Sequence, residues 1–346
     1  METATFESLN DKGLKYYDYE YKKRLEHVKK LVVEHPQYQE VYEEIEEVHI
    51  ISRESVQASN LYVYGLTGVG KTTIVKQYTD NFRRQLTETG TIITVLYVKV
   101  PPRLKTPKAL ASKILGEMGD LFANSGTDEE MGRRIIQYAR ECQLELIILD
   151  EFQHLIDRET HNVLATASDW LKLLTEELNI PVILCGLPES NAIFEYNEQL
   201  DGRYPRRILL EPFGFGDKVQ QKEFRIFLKT IDEGLPFSEI SNLSDPILAS
   251  KMHYVTEGVP RYVKDILIEA TKLSLKRGID QINEDSLHDA FHRITRSNQI
   301  HAINPFGDNQ FDYFNAVATK QMKDEAFIKS QSQNAISKRK KKKIPS

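Results

Sequence analysis

The nonapeptide Gly65-Leu66-Thr67-Gly68-Val69-Gly70-Lys71-Thr72-Thr73 constrains the fold more than any other part of the chain. It follows a short apolar run, Asn60-Leu61-Tyr62-Val63-Tyr64, that reads as a buried strand. It precedes a stretch with apolar residues at helical spacing, Ile74-Val75-Lys76-Gln77-Tyr78. Gly65, Gly70, Lys71 and Thr72 satisfy the pattern G-x-x-x-x-G-K-[ST] without a gap. A glycine-rich turn between strand and helix aims backbone N–H groups at a polyphosphate, and the helix N-terminus adds partial positive charge. Gly65, Thr67, Gly68, Val69, Gly70, Lys71, Thr72 and Thr73 are therefore expected to form a phosphate cradle. Lys71 is expected to reach the β- and γ-phosphates and the Thr72 hydroxyl to bind Mg²⁺.

A second half of the site stands at the end of Leu144-Glu145-Leu146-Ile147-Ile148-Leu149, an apolar run followed by Asp150 and Glu151. Open α/β sheets bind ligands at the C-terminal edge of their strands, which is where this pair falls. Taken alone, an Asp-Glu pair there is an ordinary solvated strand end; the glycine loop upstream gives it a task. Asp150 is expected to join Thr72 in the Mg²⁺ shell, and Glu151 to orient and polarise an attacking water. The pair favours hydrolysis over a kinase reaction. The chain has no Asn-Lys-x-Asp stretch to read guanine, so the nucleotide is taken as ATP.

Strand and helix patterns alternate through the middle of the chain. Strands are predicted at Leu61 to Tyr64, Thr91 to Val98, Leu144 to Leu149, Pro181 to Cys185 and Arg207 to Leu210, and a helix runs from about Thr72 to Glu88. Such alternation implies a parallel five-stranded sheet covered on both faces, an α/β domain over residues 56–215. Before it, Tyr16 to His35 and Tyr38 to Ser52 form a helical lead-in, residues 1–55, broken at His35-Pro36. After it, residues 216–298 carry helical patterns only and read as a small all-helical domain. Residues 299–346 read as a mobile tail with a short helix near Asp312 to Lys329. Within it, Asn304-Pro305-Phe306 suits either a docking peptide or an anchor to the body.

With 346 residues and 40% apolar content the chain can bury a sizeable core, and its length suggests about two domains. No run is long and apolar enough for a membrane span, and the first residues lack the regions of a secretory signal, so no membrane partner and a cytoplasmic location are expected. Cys142 and Cys185 lack metal-ligand spacing and read as free thiols. The net charge is −5, but the six basic residues Lys338 to Lys343 leave −11 on the rest. An acidic body argues against wholesale coating of nucleic acid, whereas a basic tail can still bind phosphate or an acidic partner. His154, Tyr16, Tyr17 and Tyr19 read as packing residues.

Four stretches together resemble the AAA+ ATPases, and more narrowly the TnsC/TniB family of transposition regulators. They are LYVYGLTGVGKTT, VKVPPRLKTPKALASKILGEMGD, LIILDEFQHL, and DWLKLLTEELNIPVILCGLPESNAIFEYNEQLDGRYPRRILLEPF, within a resemblance covering roughly residues 15 to 300. It implies an AAA+ P-loop NTPase fold whose helical C-terminal domain is a lid. It also implies an ATP-dependent adaptor that forms a homo-oligomer, ring or helical filament, on double-stranded DNA. Such an adaptor answers to a target-selection protein and stimulates a transposase. On this resemblance Arg203 is the arginine that reaches the γ-phosphate of a neighbouring subunit, where a guanidinium neutralises charge building on the transferring group. Arg261, in Gly258-Val259-Pro260-Arg261, is the second sensor, contacting nucleotide from the lid.

The sequence departs from the family at the first sensor. That polar position falls at Leu187, which cannot hydrogen-bond water or phosphate, so Ser190 or Glu189 must stand in or hydrolysis is slow. Lys99, Arg103, Lys105 and Lys108 surround Pro101-Pro102 after a predicted strand. In the pore of an assembly Lys99, Arg103 and Lys105 track DNA phosphates without reading bases; otherwise they belong to a solvated loop. Two other functions share this plan: a nucleotide-gated DNA-binding scaffold with little turnover, and an AAA+ replication initiator or helicase loader.

Overall fold

A computed structural model describes residues 7–9, 15–17, 19–54, 58–88, 90–102, 106–155, 161–294 and 301–341. The chain divides into two compact units, residues 34–211 and residues 1–33 with 212–346. At the N-terminus β1 (Glu7–Leu9) pairs antiparallel with β2 (Lys15–Tyr17), followed by α1 (Tyr19–Lys30) and α2 (Pro36–Glu54). The helical lead-in is thus divided: α1 belongs to the unit completed by the C-terminal residues, α2 to the other.

The unit of residues 34–211 is built on β3 (Leu61–Gly65), β6 (Val95–Lys99), β7 (Leu146–Asp150), β8 (Val182–Gly186) and β9 (Arg206–Leu210). They form one five-stranded parallel sheet in the order β6-β7-β8-β3-β9. Every residue of β7 and β8 is buried, as the unbroken apolar runs of a doubly covered sheet require. Alternate side chains go to opposite faces. Tyr62, Leu96, Val98, Ile147, Leu149, Val182 and Leu184 enter one core, and Leu61, Val63, Val95, Leu146, Ile148, Ile183 and Cys185 the other. The connections are α3 (Lys71–Asp80), α4 (Pro107–Met118), α5 (Asp128–Glu141), α6 (His161–Leu178) and the short α7 (Ala192–Tyr196) and α8 (Glu198–Asp201). Their starts obey local chemistry: the Thr106 hydroxyl caps α4 ahead of Pro107, and Thr127 with Glu130 makes a reciprocal capping box on α5.

Two expectations in this unit are corrected. The helix after the glycine loop stops at Asp80 instead of Glu88, and its expected last turn is a hairpin of β4 (Gln85–Thr87) against β5 (Gly90–Ile92). The β-branched run predicted as one strand from Thr91 to Val98 is broken, because Ile92 pairs back with Gln85 while Val95 begins the register with Leu146. Between them, Ile93 N–H donates to Cys142 O at 2.8 Å.

The other unit is helical in its described C-terminal part: α9 (Lys218–Glu233), α10 (Pro246–Thr256), α11 (Pro260–Lys276), α12 (Glu284–Arg293) and α13 (Tyr313–Lys341). Asp217, Asp245 and Asn283 cap α9, α10 and α12 with side-chain oxygens. Val28 of α1 shares a core with Phe224, Leu228, Val263, Leu267 and Leu287. Gly258 turns the chain into α11 with φ 68°, and a Cβ there would lie 2.0 Å from Phe213 O, so backbone occupies the space a side chain needs. α13 extends to Lys341, well past the predicted end at Lys329. Phe306 is buried in the helical core, so Asn304-Pro305-Phe306 anchors this segment to its own unit. Of the terminal basic run, Lys342 and Lys343 lie outside the described residues. No helix among the described residues is long and apolar enough to cross a membrane.

Candidate nucleotide site

The turn from β3 into α3 is held open by glycine geometry. A Cβ on Gly65 would stand 2.1 Å from Leu210 O on β9, so no larger residue fits beside the neighbouring strand. Gly68 and Gly70 have φ of 92° and 118°, the left-handed region that glycine enters without strain. Val69 is buried and pins the loop to the sheet, whereas Thr67 and Thr73 are exposed. Thr73 N–H and Ile74 N–H both bond Gly70 O, at 2.9 and 3.1 Å, and so close the first turn of α3. Lys71 folds back over its own loop, its Nζ donating to Gly65 O at 2.7 Å and Leu66 O at 2.9 Å.

The next residue ties the loop to the sheet edge. Thr72 Oγ1 donates to Asp150 Oδ2 at 2.8 Å, and the Tyr97 hydroxyl donates to the same oxygen at 2.8 Å. The other oxygen, Asp150 Oδ1, accepts Glu151 N–H at 2.9 Å. Asp150 is 1% exposed, so these donors replace the water that a buried carboxylate would otherwise lose. Burial, and then the charge of Asp150, push the Tyr97 phenol above its ordinary range and keep it a donor. The hydroxyl of Thr72 and the carboxylate of Asp150 are hard oxygen ligands of the kind Mg²⁺ takes one or two at a time, filling the rest of its shell from phosphate and water. Tyr97 escaped sequence reasoning. It lies on β6, beside β7 in a register that pairs Tyr97 with Ile148 and Lys99 with Asp150, and only that register reveals it.

Glu151 leaves the strand with φ 59°, a left-handed backbone that is uncommon for a side chain of this size. It enters a 3-10 turn, Phe152–Leu155, whose apolar members Phe152 and Leu155 are buried. Between them Gln153 donates from Nε2 to Glu151 Oε2, while its Oε1 accepts Leu187 N–H at 3.3 Å. Leu187, just past β8, also accepts the Tyr62 hydroxyl on its backbone oxygen at 3.1 Å. Ser190 is buried beside Gly186 and Glu189 is exposed. The side chain that reaches Glu151 at this strand tip is Gln153, which the sequence pattern did not single out.

The arginines at the opposite edge are engaged within their own chain. Arg203 pairs with Glu176 of α6. Arg206 forks to Glu44 at 3.0 Å and Glu47 at 2.8 Å on α2. Arg207 lies 4.4 Å from the Phe194 ring centroid and pairs with Asp201. In the helical unit Arg261 is exposed in the first turn of α11. Lys99 is exposed at the end of β6 and Lys108 on α4, beside an open groove of 830 Å³ lined in part by Pro101, Pro102, Ser112 and Asn124. Arg103 and Lys105 lie outside the described residues.

A parallel sheet in this strand order, a glycine loop wired to an Asp-Glu edge and a helical C-terminal unit define the AAA+ class of P-loop ATPases. Within that class, the model of the bacterial TniB protein family matches residues 24–212, more than half of the chain, and the chain belongs to that family. Among curated proteins it is similar to ORC1-type DNA replication protein 2 of Thermoplasma acidophilum, 24% identical over 287 residues, covering 78% of this chain and 65% of that protein. The ORC1-type DNA replication protein of Thermoplasma volcanium is 23% identical over 284 residues, with the same 78% and 65% coverage. The chain therefore spans just under two thirds of the length of these relatives. Among solved structures it resembles the Aeropyrum pernix ORC2 protein in its ADPNP-ADP complexes, with TM-score 0.53, 16% identity and coverage of 79% of this chain and 72% of that one. The Aeropyrum pernix ORC1 protein in complex with DNA gives TM-score 0.54, 18% identity and coverage of 78% and 67%. At these identities the likeness is one of fold.

Proposed function

We propose that the chain is an ATP-dependent regulator of DNA transposition. Copies assemble on double-stranded DNA as a ring or helical filament, link a target-selection protein to the transposase, and hydrolyse ATP to control the assembly. The observation that carries nucleotide chemistry is the 2.8 Å contact between Thr72 Oγ1 and Asp150 Oδ2, which joins the phosphate loop to the carboxylate edge. The family match over residues 24–212 supports the transposition context.

In this reading the N–H groups of residues 65–73 bind the polyphosphate, and Lys71 exchanges its carbonyl partners for β- and γ-phosphate oxygens. Thr72 and Asp150 hold Mg²⁺, which when bound neutralises charge on those phosphates. Glu151 accepts a proton from water as the water oxygen bonds to the γ-phosphorus and the bridging P–O bond breaks, releasing ADP and inorganic phosphate. Arg203 serves the site of the neighbouring copy, and Arg261 is the nucleotide-contacting second sensor that the resemblance implies. Lys99, Arg103 and Lys105 contact DNA phosphates without reading bases.

A second reading, a replication initiator or helicase loader, is favoured by the relatives described as ORC1-type DNA replication proteins and by the ORC1 structure solved with DNA. One experiment separates the two. ATP turnover is measured with unrelated duplexes, and the same mixtures are viewed by electron microscopy. Stimulation by every duplex, with nucleotide-dependent rings or filaments, supports the regulator. Stimulation by one defined sequence supports the initiator, and assembly without added turnover supports a scaffold. A lone subunit that ignores DNA at saturating ATP and Mg²⁺ overturns all three.

A further inference from the structure

We infer that Gln153 is the positioning residue of Glu151, and that it takes over at the tip of β8 the polar task that Leu187 cannot perform. The inference rests on the proposal that this edge hydrolyses ATP.

Three features place Gln153 between the two strands. It sits on the 3-10 turn whose neighbours Phe152 and Leu155 are locked in the core, so its backbone has little freedom. Its amide orientation is set by chemistry: the group facing Leu187 N–H must be the oxygen, which leaves the NH₂ group facing Glu151. The strand tip that supplies this N–H is itself held, since the Tyr62 hydroxyl bonds Leu187 O at 3.1 Å and Tyr62 is fully buried against Phe194. Gly186 completes the fit. A Cβ there would come 2.7 Å from Ser190 Oγ and 3.5 Å from Gln153 Oε1, so the residue before Leu187 keeps this space clear.

The consequence for chemistry is directional. A carboxylate has two oxygens, and Gln153 occupies Glu151 Oε2. Glu151 Oε1 is left to accept the proton of the attacking water. Without the amide, the Glu151 side chain turns about its own bonds, and a base misplaced by an ångström loses much of its effect. The resemblance places an apolar residue at the sensor position and leaves either a stand-in by Ser190 or Glu189 or slow hydrolysis; the Gln153 amide reaches the Leu187 backbone from the turn after the adjacent strand.

The test compares wild type, Gln153→Leu, Gln153→Glu, Glu151→Gln and the Glu151→Gln/Gln153→Leu pair by steady-state ATP hydrolysis with duplex DNA, by binding of a fluorescent ATP analogue and by thermal melting. Gln153→Leu removes both hydrogen bonds at similar volume, and Gln153→Glu keeps the shape but replaces the donor with a second carboxylate. The expected result is a loss of about 10- to 100-fold in kcat for both, the worth of a hydrogen bond to a charged group, with KM and analogue binding unchanged. In the Glu151→Gln background, Gln153→Leu is expected to cause no further loss, because a residue that acts only through Glu151 has nothing left to position. An unchanged kcat in both single variants overturns the inference. So does an equal loss in the Glu151→Gln background, or a loss of analogue binding in both. If wild type binds the analogue but does not turn over, the hydrolytic reading fails and this inference with it. Normal wild-type turnover with indifferent Gln153 variants overturns the inference alone.

Discussion

The glycine loop and the arginine cluster lie in the same compact unit, yet they are finished to different degrees. Around the loop, polar groups from separate elements converge on one point: Thr72 from α3, Tyr97 from β6 and the backbone of Glu151 all donate to Asp150. At the cluster, Arg203 and Arg207 each face one carboxylate of the same chain and Arg206 faces two. In the proposed reading, a single copy assembles one half of a nucleotide site and holds Arg203 in reserve for its neighbour. Releasing it costs little. Arg203 and Glu176 are 20% and 39% exposed, and an ion pair of that kind contributes about 0–1 kcal/mol, far less than a guanidinium gains on a transferring phosphoryl group.

The largest effect is expected on the assembled half. Lys71→Ala should lower ATP affinity by about 1,000-fold or more, read by analogue binding, while melting of the nucleotide-free protein stays unchanged. A variant that still binds would mean that the loop does not hold the phosphates. Acid pH sharpens a different contrast, between the two compact units. In each a buried histidine is kept neutral, His35 in one and His253 in the other, and burial lowers both to about 4. Because the folded value lies below the ordinary 6.5, protonation favours the unfolded chain. The contribution is complete above pH 6.5 and is lost as pH falls from there through 4. Thermal melts should lose up to about 3 kcal/mol per histidine across that window, in both units together. A melt that is flat between pH 7 and 4 would contradict it.

Smaller effects refine the comparison at its edges. Tyr97→Phe removes one of the two hydroxyls on Asp150 Oδ2, and about a 10-fold higher Mg²⁺ requirement for hydrolysis is expected, with analogue binding little altered. Glu176→Ala frees Arg203 and should change stability by less than about 1 kcal/mol while favouring nucleotide-dependent assembly in sedimentation. Weaker assembly would show that Glu176 supports the interface instead of restraining it.

The loop, the Asp150-Glu151 edge and the parallel sheet were legible because each is written in a contiguous run: a motif with fixed spacing, or an apolar stretch between turns. Tyr97 and Gln153 were not, since one acts across a strand register and the other through a turn that brings it back to its own neighbour. The sequence alone carries the helix after the loop on to Glu88, because nothing in Gln85-Leu86-Thr87 excludes helix; the pairing with Gly90-Thr91-Ile92 decides it. The lead-in helices α1 and α2 have similar amphipathic patterns, and only tertiary packing shows that they belong to different cores. Likewise, three arginines within five residues look alike in the sequence, and their partners alone tell them apart.

The central claim is that ATP is hydrolysed between adjoining copies, with Glu151 from one and Arg203 from the next. It is tested most directly by mixing two variants that are each inactive, Arg203→Ala and Glu151→Gln, and measuring ATP turnover on duplex DNA. In a random mixture about a quarter of the interfaces join an intact Glu151 to an intact Arg203, so roughly a quarter of wild-type turnover should return. A mixture as inactive as its components would contradict the account.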